Sequence, residues 1–78
     1  MNEIIKFYLR ENENFIELHK LLKASNLTYS GAEAKQIISE GLVKVDGIIE
    51  TRKRKKVLNT QIVEFEKNQI QVFENPNI

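Results

Sequence analysis

Five consecutive basic side chains stand at residues 52–56, inside the stretch ETRKRKK. Guanidinium and ammonium groups at this density suit one task, the neutralisation of a row of anionic oxygens. Arg52 and Arg54 carry planar forks fitted to bidentate contact with phosphate, while Lys53, Lys55 and Lys56 act as point charges. On a nucleic acid, each phosphate neutralised releases condensed counterions, so such a run gives affinity without reading sequence. The plain alternative is a solvated loop, because charge runs commonly serve solubility.

A second candidate anion site is Ser30-Gly31, at the expected start of a helix. Backbone N–H groups there point outward, Gly31 lets a phosphate come close, and Lys35 adds charge one turn on. Ser30 is equally an ordinary helix cap. Tyr29 beside it offers a ring for stacking on an unpaired base, or for packing. Lys20 and Lys23 fall on the polar face of an expected helix and Lys44 on an expected strand. Each alone reads as solvation, but together they could border one surface with the basic run.

Other chemistries find little support. The chain has no cysteine, which removes disulfides, thiolate zinc and thiol catalysis. His19 is the single histidine, so no metal site is expected. A Ser-His-Asp triad could be drawn through Asp46, but Asp46 is better explained by a turn. There is no glycine-rich phosphate loop. Neither a catalytic site, a cofactor nor a small-molecule substrate is expected.

The distribution of charge sharpens the first reading. Net charge over the 78 residues is +1, yet residues 20–56 sum to +5 while residues 1–19 and 57–78 each sum to −2. A positive island with acidic flanks points to an anionic partner. The opening residues carry acids and no small-residue cleavage site, and no apolar run reaches the roughly 20 residues of a membrane span. The expectation is a soluble cytoplasmic protein forming one domain over residues 1–78, near the lower limit for a self-sufficient core. Oligomeric state is left open.

Periodicity then supplies the elements that hold these residues. EIIKFYL at 3–9 alternates as a half-buried strand. FIELHKLLKA at 15–24 switches to helical spacing, with Asn14 as cap, Glu17 reaching back to it and Asn26 after the end. SGAEAKQIISEG at 30–41 is the clearest helix: Ser30 and Glu33 form a capping box, Ala34, Ile37 and Ile38 make the buried stripe, and Gly41 ends it. Asp46-Gly47 between apolar runs predicts a hairpin. QIVEFE and QIQVFE predict a second hairpin turning at Lys67-Asn68, and the tail at 75–78 is expected to fray. The fold class is α+β: two packed helices against a small, mostly antiparallel sheet, with an N-terminal strand and two hairpins. The basic run becomes a connection between strands.

On these residues the chain resembles a known family. The ordered set SGAEAK, EGLVKVDG and ETRKRKK, within residues 15–66, is similar to the RNA-binding module of small-subunit ribosomal protein S-four. It is closest to the free-standing, single-domain bacterial YbcJ-like branch. The resemblance implies a helix pair on a curved sheet and shape-and-phosphate binding of structured RNA, with ribosomal RNA or ribosomal particles as the partner. It implies no catalysis by the module. The broad family usually opens its first helix with Arg-Leu-Asp, where this chain has Glu17, Leu18 and His19. At the second helix Ser-Arg-Ser is replaced by Ser30, Gly31 and Ala32. As in the YbcJ-like branch, the basic load sits in ETRKRKK. A basic loop that docks on an acidic protein is the alternative from another class.

Overall fold

The computed structural model describes residues 3–75. The chain runs β1 (Glu3–Tyr8), β2 (Phe15–Glu17), α1 (Leu18–Ala24), α2 (Gly31–Ser39), β3 (Val43–Val45), β4 (Ile48–Ile49), β5 (Lys56–Leu58), β6 (Ile62–Phe65) and β7 (Asn68–Phe73). Five strands form one mixed sheet in the order β1-β7-β6-β3-β4, and β2 pairs with β5 in a separate two-stranded ribbon. Only β1 against β7 is parallel; the other pairs are antiparallel. The expected α+β class with a mostly antiparallel sheet is therefore what the chain adopts.

Alternation along the strands decides which side chains meet the helices. Val43, Val45, Val63, Ile70 and Val72 turn inward, and Leu18, Leu21, Leu22, Ala34 and Ile38 face them from the helices; Leu9 and Val57 complete this one cluster. Burying an aliphatic side chain of this size contributes about 1.5–3 kcal/mol. Ile37, expected in the buried stripe, only packs partly against the cluster. At 100° per residue it stands beside Ile38 and one side of it remains in water.

Both helices end in the same device. Asn26 at φ 61° and Gly41 at φ 76° take the left-handed conformation. Leu27 N–H donates to the Leu22 carbonyl and Leu42 N–H to that of Ile37, closing the six-to-one bond of a Schellman end. The hairpin at Asp46-Gly47 forms as expected, with φ 51° and 82°. The Asp46 carboxylate also accepts from Ile62 N–H and from Gln61 Nε2, each at 2.9 Å, which ties this turn to the start of β6.

Three expectations shift. Residues 15–17 are a strand and not the first turn of a helix. Phe15 and Ile16 find cross-strand partners in Leu58 and Val57, so α1 begins only at Leu18. The Asn14–Glu17 capping box does not form: Glu17 occupies the cap position without a side-chain cap bond. The second hairpin turns at Glu66-Lys67, since Phe65 pairs with Asn68 and the positive φ (56°) belongs to Glu66. The expected and observed registers keep the same side chains inward, so alternation could not choose between them. The tail lies outside the described residues from residue 76 on.

Candidate nucleic-acid interface

The basic run is a short strap between β4 and β5. Lys55 N–H donates to the Arg52 carbonyl at 3.1 Å, closing a turn over residues 52–55. At Lys56 the strap becomes strand β5, with Glu17 as its direct partner across the ribbon. Two carbonyls of the strap reach α1: that of Lys55 accepts from Leu18 N–H at 2.9 Å and that of Lys53 from His19 N–H at 3.1 Å. A helix leaves its first N–H groups without internal partners, and here the basic strap supplies them where no side chain does. The backbone of the strap is thus fixed to the fold while its side chains stay outside; only that of Lys55 is half-buried.

The five cations are not equivalent. The Arg52 guanidinium forks onto Glu50, with Nε to Oε2 at 2.9 Å and NH2 to Oε1 at 3.1 Å, and Arg52 N–H also donates to Oε2 at 3.0 Å. This pairing holds the Glu50 carboxyl down at about 2, the Arg52 side-chain bond contributing most. The expected positive island is partly neutralised from within: Glu50 already pairs one basic group of the run. Residues i and i+2 of an extended chain project to the same side, which was the available signal for Glu50 and Arg52. Lys53 and Arg54 are exposed, and Lys56 places its ammonium 4.9 Å from the centroid of the Phe15 ring.

Around the start of α1, Glu17 gathers further charge. Its Oε1 lies 2.9 Å from His19 Nε2 and 3.8 Å from Lys20 Nζ. The His19 contact is the main reason its carboxyl is held below the ordinary range, with Lys20 and Arg54 adding smaller pulls. Lys20 therefore joins the strap's neighbourhood, and Lys23 lies exposed further along the same helix. Lys44 sits on β3 between Val43 and Val45, opposite Glu64 on β6, so it belongs to the sheet face turned away from the helices.

The start of α2 is built differently. Ser30 Oγ accepts from Glu33 N–H at 3.1 Å, as a cap should. Glu33 reaches one residue further back than expected, its Oε1 accepting from Tyr29 N–H at 2.9 Å. A carboxylate thus stands at this helix start beside Gly31. The Tyr29 ring is 97% exposed, so it does not pack, and Lys35 is half-buried on α2. α2 packs on α1, the helix to which the strap is bound.

Among the described residues, no group of three or more His, Cys, Asp or Glu side chains is placed to hold a metal ion. No helix among them is long and apolar enough to cross a membrane.

The family model described as S4 domain matches residues 7–73. The chain belongs to the S4 domain family. YbcJ of Escherichia coli strain K12, provisionally named as an RNA-binding protein, is 51% identical over 57 residues, covering 73% of this chain and 81% of that protein. A YbcJ protein of Shigella flexneri matches to the same extent. The solution structure of Escherichia coli YbcJ, described as revealing an αL motif involved in RNA binding, is similar at a TM-score of 0.68 and 44% identity. That match covers 94% of this chain and 91% of the other.

Proposed function

We propose that this protein is a non-catalytic RNA-binding domain that holds structured RNA, with ribosomal RNA or ribosomal particles as its target. Lys53, Arg54, Lys55 and Lys56 contact phosphates, Lys20 and Lys23 extend the surface along α1, and shape complementarity replaces base reading. Ser30, Gly31, Lys35 and Tyr29 are secondary contacts, Lys44 lies on the far face of the sheet and is left out of the surface, and the site of action is the cytoplasm. The observation that carries this reading is the strap itself. Its backbone is bonded to the start of α1, so its charges are presented from a rigid mount at little ordering cost. Its similarity to YbcJ supports the choice of RNA as the anion.

Binding of labelled ribosomal RNA fragments across a salt series tests this. With three to four phosphates neutralised, log affinity against log salt should slope at about −2.7 to −3.6. Between 50 and 200 mM salt that is a loss of about 40- to 150-fold. A flat titration, or a salt-sensitive cellular complex that survives ribonuclease, would replace RNA with an acidic protein partner.

A further inference from the structure

The strap has a cavity beside it that phosphate contact alone leaves unused. It measures about 360 Å³ and is lined by residues 12–17 and Lys20. That lies within the about 300–1,000 Å³ of small-ligand sites and is far too small for a duplex. Its wall joins the strap directly, because Phe15 and Glu17 are β2 residues paired with Leu58 and Lys56. Phe15 is 36% exposed, and the Lys56 ammonium sits over its ring.

The chemistry of the lining selects the occupant. A phosphate is disfavoured by the two carboxylates, Glu13 and Glu17. A purely apolar ligand would leave the side-chain amides of Asn12 and Asn14 without partners. A flat, uncharged ring with hydrogen-bonding edges satisfies both conditions: its face meets Phe15, and its edge meets amides and carboxylate. The loop that carries the amides is held in place, since Glu13 Oε1 accepts from Arg10 N–H at 2.8 Å and Glu13 N–H donates to the Arg10 carbonyl at 3.0 Å. We infer that this cavity receives one unpaired nucleobase, stacked on Phe15, from an RNA whose adjoining phosphates lie on Lys56 and Arg54. The inference rests on the RNA-binding reading and deepens it: the protein distinguishes RNA with an extruded nucleotide from uniform duplex.

The test uses the full chain and two RNA hairpins with the same stem, one carrying a single bulged 2-aminopurine. Stacking on an aromatic side chain separates bound from unbound bases by roughly 5- to 150-fold. The parent protein should therefore favour the bulged hairpin by about tenfold or more, and the 2-aminopurine fluorescence should change on binding. Phe15→Leu, which keeps an apolar side chain opposite Leu58 in the ladder, should bring the ratio of affinities close to one, and Phe15→Trp should restore it. Equal affinity of the parent for both hairpins, with unchanged fluorescence, would overturn the base site while leaving phosphate binding intact. A ratio unmoved by Phe15→Leu in a folded variant would overturn the role of the cavity. Binding to neither hairpin would remove the RNA reading and this inference together. Should Phe15→Leu fail to fold, the fluorescence of the parent complex decides by itself.

Discussion

Two parts of the molecule were expected to serve as anion sites, the basic run and the start of α2, and the fold treats them in opposite ways. The strap gives its carbonyls to Leu18 and His19 of α1 and leaves most of its cations facing water. The start of α2 satisfies itself: Ser30 caps Glu33, and the Glu33 carboxylate turns back over Tyr29 N–H. An N-terminal carboxylate suits the helix dipole, and for the same reason it competes with a phosphate. Polar groups spent on tertiary anchoring free the side chains around them for binding. Polar groups spent on a local cap do not.

The largest change comes from removing the mount. Leu21 is fully buried on α1, so Leu21→Ala should cost about 2–5 kcal/mol in chemical denaturation. Both regions would be disturbed, since α1 carries the strap and packs on α2. Ile37→Ala, at a half-buried position, should cost clearly less. Equal costs for the two would show that the assigned helix faces are wrong.

Converting residues 52–56 together to Gln separates the two regions without unfolding either. The carbonyls that hold α1 belong to the backbone and remain, so the melting temperature should stay close to that of the parent. RNA affinity should fall by on the order of 100-fold and its salt dependence should flatten. A variant that melts normally and binds RNA like the parent would move the site away from the strap.

A smaller effect sharpens the count of free charges. Glu50→Gln weakens the hold on Arg52, so one further phosphate contact should steepen the salt slope by about 0.9. The same variant has a signature in acid. Glu50 titrates at about 2 in the folded protein, below its ordinary 4.5, because Arg52 stabilises the carboxylate. Its contribution to stability is present above the ordinary value and is lost as pH falls toward 2. Melting temperature should therefore decline less steeply between pH 4.5 and 2 in Glu50→Gln than in the parent. Parallel curves would mean that the pair does not persist in solution.

The smallest effect should come from Gly31→Asp. A Cβ at this position meets nothing within 4 Å, and a negative charge there favours the helix. The variant should fold normally and bind RNA only a few-fold less well, keeping most of its salt slope. A loss as large as that of the five-Gln variant would make the start of α2 the principal site.

Local patterns carried much of this molecule. The run 52–56, the Ser30 cap, the Asp46-Gly47 turn and the Gly41 stop each depend on a few adjacent residues, so each was legible in the sequence. The start of α1 was not. Phe15, Ile16 and Glu17 satisfy helical spacing as well as strand alternation, and the choice belongs to a partner 41 residues away, Val57 opposite Ile16. The register of β6 with β7 was hidden for a related reason, since a shift by a full pair changes no face.

The sequence by itself determined the presence of a positive island, the amphipathic faces and the α+β class, because charge and short-range periodicity are properties of neighbouring residues. Only the tertiary structure decided which cations are free and what they stand beside. It paired Arg52 with Glu50, set Lys56 over Phe15, and bound the strap to α1. Such contacts depend on how the chain returns upon itself, and ladder pairing between β2 and β5 is what brought residues 15–17 and 56–58 together.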